Sequence, residues 1–154
     1  MCPIALSFFS AIDLNEVRVL LEWSMETVTT PKPRVLYSED DPDTREIMCL
    51  ALEVEGFETI CPGTPEDVLR VSREEKVDAY LLDTWTPGMS GVDLCRKIRE
   101  NDTHTPIIFY SAAVFQHDKD AAFAAGAQAY ITKPSPLDDV VDALRSAISS
   151  SRQV

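Results

Sequence analysis

The sequence predicts one α/β domain in which a parallel sheet is buried between layers of helices. Three observations predict it. Short runs that are apolar throughout alternate with segments of helical periodicity, as strands covered on both faces alternate with crossover helices. Five such units fit between Arg34 and Ser150, enough for a compact three-layer domain. Each helical segment opens on a capping residue or a proline, and most strands end abruptly in a polar residue.

The first run, Val35-Leu36-Tyr37, leads into Glu39-Asp40-Asp41. Asp41 can cap a helix that starts at Pro42, where the missing N–H has no partner to lose. Ile47, Leu50, Ala51 and Val54 follow at i, i+3, i+4 and i+7 and are expected to form its apolar face. Gly56 should end that helix. Phe57 to Cys61 reads as the second strand, and Thr64-Pro65 opens a second helix with Val68, Leu69 and Val71. Ala79-Tyr80-Leu81-Leu82 is the third strand and ends at Asp83. Ser90 and Asp93 have capping-box spacing before a third helix bearing Leu94 and Ile98. Ile107 to Tyr110 is the fourth strand and ends at Ser111. An alanine-rich helix through Ala121–Ala125 closes at Gly126, and Ala129-Tyr130-Ile131 leads toward Lys133. Ser135-Pro136 opens the last helix, with Leu137, Val140, Val141, Leu144 and Ile148 on one face.

At 154 residues the chain holds one domain with an ordinary core and is too short for two. No apolar run is long enough to span a bilayer. The stretch Met1–Ser10 lacks the basic start of a secretory signal. Cys2, Cys49, Cys61 and Cys95 are scattered without a C-x-x-C pair. A disulfide framework or zinc site is therefore not expected, and reduced thiols in a cytoplasmic protein are. A formal charge of −12 argues against nucleic acid as a partner, since phosphate contacts need clustered Lys and Arg.

Residues 1–32 stand outside the alternating pattern as an extension and linker, with the domain expected over 33–150 and a tail at 151–154. Two readings stand for the extension. It is a disordered or vector-like extension, or a stretch translated upstream of a genuine start at Met25; or Leu14, Val17 and Leu21 line a short helix that docks on the domain or a partner.

Ligands of such sheets bind beyond the carboxyl ends of the strands, so the polar residues after each run converge. The first strand delivers Glu39 and Asp40, the third Asp83, the fourth Ser111 and the fifth Lys133. Carboxylates crowded at one edge repel unless a cation offsets them. Magnesium suits the set, as it takes carboxylate and phosphate oxygens and retains water. A carboxylate can also be a nucleophile that forms an acyl phosphate. Positioning and charge neutralisation by the metal, Lys133 and Ser111 would then supply most of the catalysis. By contrast, His104 and His117 read as surface residues, and Ala121–Ala125 as a tightly packed helix.

The stretches Val35–Pro42, Leu81–Gly91, Pro106–Ala112 and Tyr130–Pro134 together resemble the receiver domain of two-component response regulators, over about Pro33 to Ser150. The resemblance implies a flavodoxin-like fold: a five-stranded parallel sheet of order 2-1-3-4-5 with five helices. It implies that Asp83 is the phosphoacceptor, charged by a sensor histidine kinase or a histidine phosphotransfer protein. Magnesium would be bound by Asp40, Asp83 and the Trp85 carbonyl, with Glu39 acting through water. Lys133 would bridge to the phosphoryl group, and its peptide bond to Pro134 would be cis. Ser111 would bond the phosphate and draw Tyr130 inward, remodelling the face formed by the fourth helix, fifth strand and fifth helix. A downstream protein would dock there, and phosphorylation-dependent homodimers occur in some family members.

Two departures stand out: Glu39 replaces the commoner Asp, and Trp85 is bulkier than the usual residue two positions past the acceptor. Trp85 is expected to hinder attacking water and lengthen the phosphorylated lifetime. With only a helix and a tail after Lys133, a single-domain regulator without a DNA-binding module is expected. Two rival readings are a haloacid-dehalogenase-like phosphatase, which wants an Asp where Trp85 stands, and a receiver-like binding module that works without phosphorylation.

Overall fold

The computed structural model describes residues 31–153. Five strands are present: β1 (Arg34–Ser38), β2 (Glu58–Ile60), β3 (Ala79–Leu82), β4 (Ile107–Ser111) and β5 (Ala129–Thr132). They alternate with helices α1 (Pro42–Val54), α2 (Pro65–Glu74), α3 (Gly91–Arg99), α4 (Gln116–Ala124) and α5 (Leu137–Ser151). All strand pairs are parallel and the sheet order is β2-β1-β3-β4-β5, the predicted order. The suggested helix through Leu14, Val17 and Leu21 lies outside the described residues.

Alternate residues of each strand face opposite layers. Leu36, Tyr80, Leu82, Ile107 and Phe109 pack with Val68, Leu94, Ile98 and Ala122, so α2, α3 and α4 cover one side. Val35, Tyr37, Leu81, Ile108 and Tyr110 pack with Leu52, Val140, Val141, Leu144 and Ile148, so α1 and α5 cover the other. The central strands are buried on both sides, which is why they read as unbroken apolar runs. Burying one such leucine or isoleucine contributes about 1.5–3 kcal/mol.

The helix starts follow the sequence closely. Asp41 accepts from the Thr44 N–H at 2.7 Å, Thr64 from Asp67 at 3.2 Å and Ser90 from Asp93 at 3.1 Å. After α1, Gly56 takes φ +92°, a conformation that side chains disfavour.

Two expectations are corrected. The face of α1 given by Ile47, Leu50 and Val54 is exposed, and Cys49 and Leu52 are buried instead. The helix carries apolar residues on two stripes, and the crossover from β1 sets which stripe meets the sheet. The thiols are not all reduced either: Cys49 of α1 and Cys61, just after β2, form a disulfide, with Cα atoms 6.8 Å apart. The β1–β2 pairing brings these residues together although twelve positions separate them. Cys95 is free and buried. Both histidines are exposed, as expected. Among the described residues no helix is long and apolar enough to cross a membrane.

Candidate functional site

The register of the sheet assembles the site. Ser38 pairs with Leu82, so the next residues, Glu39 and Asp83, leave the sheet side by side. Ser111 pairs with Thr132, which puts Lys133 one step beyond, and its N–H bonds the Ser111 carbonyl at 2.8 Å. Carboxylate oxygens of Glu39, Asp40 and Asp83 lie within 4.8 Å of one another. Glu39 and Asp83 are buried, at 4% and 8% exposure.

Lys133 spans the cluster. Its Nζ donates to Asp83 Oδ2 at 2.8 Å and to Glu39 Oε2 at 2.5 Å. Its peptide bond to Pro134 is cis. Tyr37 donates its hydroxyl to the same Glu39 oxygen at 2.9 Å. Burial and then the neighbouring Glu39 charge push the Tyr37 phenol far up, so it stays a donor. Burial pushes Glu39 up, but the Lys133 ammonium and bonds from Asp40 and Tyr37 outweigh it and hold Glu39 below its usual range. Asp40 is held above its usual range by burial and then by Glu39 beside it. Burial pulls Lys133 down, yet bonds to Asp83 and Glu39 leave it above its usual value. The cluster thus carries more negative than positive charge, with oxygen donors at the spacing a hard divalent cation takes. These residues fit magnesium.

A second group of side chains lies on the β4 side of Asp83. Leu82 pairs with Phe109, so two steps on Thr84 is level with Ser111, and their hydroxyls are in close hydrogen-bond contact. Ser111 Oγ accepts from the Ala113 N–H at 3.3 Å, and Tyr130 donates its hydroxyl to the Ala113 carbonyl at 2.8 Å. Tyr130 stacks on Phe109 with ring centres 5.9 Å apart. Trp85 gives its N–H to Asp83 Oδ1 at 3.3 Å while its side chain is 68% exposed. An open cleft of about 440 Å³ is lined by Asp40, Asp83, Thr84, Trp85, Ser111 and Asp118 among others.

All the residues expected at the site are therefore brought together, with Tyr130 reaching it through Ala113. Sequence reasoning missed three supporting residues. Tyr37 was read only as a strand residue; its alternation with Glu39 was the available signal. Thr84 was given no role. Gly91, the first residue of α3, packs so closely on the Asp83–Thr84 backbone that a Cβ there would overlap the Asp83 carbonyl oxygen. Its N–H bonds the Thr84 carbonyl at 2.8 Å.

A doubly wound sheet with an acidic and lysine-bearing carboxyl edge defines a class of α/β domain that handles phosphoryl groups or divalent cations. Comparison with known proteins narrows the class. The response regulator receiver domain family matches residues 35–145, and the chain belongs to that family. It is a receiver domain of two-component signal transduction. The DNA-binding response regulator MtrA of Mycolicibacterium smegmatis is 34% identical over 119 residues, covering 77% of this chain and 52% of that protein. The probable transcriptional regulatory protein TcrX of Mycobacterium tuberculosis is 31% identical over 114 residues, 74% of this chain and 49% of that protein. The chain spans about half the length of these curated relatives.

Solved structures share the fold. A CheY-like receiver domain protein from Methanospirillum hungatei has a TM-score of 0.76 at 24% identity, covering 80% of this chain and 98% of that one. The receiver domain of the histidine kinase PA1611 from Pseudomonas aeruginosa, solved with magnesium in its active-site cleft, has a TM-score of 0.72 at 24% identity. That match covers 77% of this chain and 99% of that one.

Proposed function

We propose that Asp83 accepts a phosphoryl group from a phosphohistidine of a sensor kinase or histidine phosphotransfer protein. The observation that carries this reading is Lys133 Nζ set between Asp83 and Glu39 at 2.8 and 2.5 Å. In the transfer a carboxylate oxygen of Asp83 bonds to phosphorus, the phosphorus–nitrogen bond breaks, and the electron pair returns to the imidazole. Water attack on the same phosphorus later releases phosphate and restores the carboxylate. Lys133 orients the acceptor and meets charge on the transferred oxygens. Ser111 donates to a phosphoryl oxygen.

Glu39, Asp40, Asp83 and the Trp85 carbonyl would hold Mg2+. When bound it supplies charge neutralisation for the incoming phosphoryl group. Ser111 and Tyr130 form the switch, linked through Ala113. The exposed apolar residues Val114, Phe115 and Phe123, next to and on α4, support a protein partner for the output, as does the net charge of −12. The working compartment in this reading is the cytoplasm. The protein acts as a signalling phosphoacceptor, with no turnover beyond its own charging and discharge.

The test is to incubate the protein with acetyl phosphate and magnesium and to measure its intact mass beside Asp83→Asn. A phosphate-sized gain, absent from the variant and abolished by chelator, is expected. No gain, together with no binding of beryllofluoride, would leave a receiver that works only as a binding module.

A further inference from the structure

We propose that Thr84 is a latch on the switch hydroxyl: it occupies the only proton of Ser111 in the resting protein, and phosphorylation must break that bond. This rests on the reading of Asp83 as acceptor and adds a positioning residue to it. The protons can be traced around the cluster. Thr84 Oγ1 donates to Asp83 Oδ1 at 3.4 Å. Thr84 has one hydroxyl proton; with that proton turned to Asp83, the latch assigns the donor in its close contact with Ser111, which either hydroxyl could supply, to Ser111. Ser111 in turn accepts from the Ala113 N–H. A directed chain therefore runs from Ala113 through Ser111 and Thr84 to Asp83.

Phosphoryl oxygens offer acceptors and no donors, so Ser111 can bond one only by turning its proton away from Thr84. Esterification assists that exchange. Once Asp83 is an acyl phosphate its free oxygen is a neutral carbonyl, and the carboxylate that anchored Thr84 is gone. The same turn loads the Ala113 backbone, whose carbonyl holds the Tyr130 hydroxyl. The β3–β4 register that sets Thr84 level with Ser111 thus links acceptor and switch directly.

Removing the Thr84 hydroxyl should destabilise the resting arrangement and leave the phosphorylated one intact. The probe is beryllofluoride with Mg2+, titrated by calorimetry into the full 154-residue chain. Thr84→Val is expected to bind about three- to tenfold more tightly than the parent, the value of one neutral hydrogen bond. Thr84→Ser, which keeps the hydroxyl, should match the parent. In a Ser111→Ala background the gain from Thr84→Val should shrink, because the bond between the two hydroxyls is already missing and only the Thr84–Asp83 bond is left to remove. Thr84→Ala offers the same comparison where circular dichroism shows Thr84→Val to be unfolded. A purely structural role would weaken binding in every background. Equal or weaker binding by Thr84→Val, or a gain that Ser111→Ala leaves undiminished, overturns the latch and leaves the acceptor reading standing. A parent that binds no beryllofluoride and gains no phosphate overturns both.

Discussion

Lys133 Nζ is 2.8 Å from Asp83 Oδ2, and the two residues are fifty positions apart. Strand register alone brings them together: β4 pairs with β3 on one side and β5 on the other. Lys133 also bonds Glu39, so one ammonium offsets two largely buried carboxylates. Lys133→Met leaves both without a partner. Urea denaturation should show a loss of about 2–3 kcal/mol, at the low end for a broken buried pair because the lysine is partly exposed. The initial rate of labelling by acetyl phosphate should fall about 100-fold, as for other lost charge-stabilising donors. A variant as stable as the parent would show that the carboxylates need no internal cation.

The Glu39–Asp40–Asp83 group implies that metal and stability are linked. Mg2+ at a hundred times its dissociation constant should stabilise the protein by about 2.7 kcal/mol, read as a rise in melting temperature. Asp40→Asn removes a ligand and should abolish most of that rise. Without metal the same variant should melt higher than the parent at neutral pH. The sign follows from Asp40, whose folded-state pKa is raised by burial and by Glu39. A raised carboxylate pKa means the folded state prefers the proton, so stability is lost as pH climbs through that pKa. The advantage of Asp40→Asn should therefore shrink as pH falls through the raised Asp40 pKa and be gone below the ordinary aspartate value of about 3.9. Equal melting temperatures in both forms at neutral pH would show that the crowding is harmless.

Gly91 tests how closely α3 guards the acceptor. A methyl group at this position would overlap the Asp83 carbonyl oxygen and lie 2.9 Å from the Asp83 carbonyl carbon and Thr84 Cα, so the loop after β3 must shift. Gly91→Ala should cost about 1–3 kcal/mol, the usual range for overpacking. The displaced carboxylate should slow labelling by acetyl phosphate about 100-fold, far beyond what lost stability explains. Normal labelling would show that the displacement is absorbed by the helix start instead.

Much of this was legible in the sequence. The unbroken apolar runs identified the strands because a sheet covered on both faces has no polar side, and the residues after those runs form the candidate site. The buried stripe of α1 was not legible, since Ile47, Leu50 and Val54 compete with Cys49 and Leu52 and only the path from β1 decides between them. The Cys49–Cys61 bond depends on the β1–β2 pairing, which no local spacing encodes. The contact of Thr84 with Ser111 arises from β3–β4 register across twenty-seven residues, where propensity and motif are silent.

Trp85 stands at the mouth of the cleft and is 68% exposed. Its backbone holds Asp83 through the N–H, which any residue could supply. The ring is therefore free to act as a cover over the acyl phosphate proposed at Asp83. Trp85→Asn should discharge about tenfold faster, equivalent to some 1.4 kcal/mol in barrier height. Phosphate release is followed after removal of acetyl phosphate. Folding stability should change by less than about 0.5 kcal/mol, as for other exposed positions. Unchanged discharge would assign the ring to partner contact.

The disulfide between Cys49 and Cys61 ties α1 to the edge of the sheet, close to the exposed stripe Leu50 and Val54. Twelve residues separate the two cysteines, and closing a loop of that size contributes about 2–3 kcal/mol through the unfolded chain. Cys49→Ser should lower the urea midpoint of the oxidised protein accordingly. Dithiothreitol should bring the parent to the same midpoint and leave the variant unmoved. That pair of results matters for function, because a thiol-reducing compartment removes such bonds. A midpoint insensitive both to the reductant and to the substitution would mean that the bond adds nothing to the fold. A sensitive one makes the stability of α1, and of the strand that delivers Glu39 and Asp40, depend on the redox state around it.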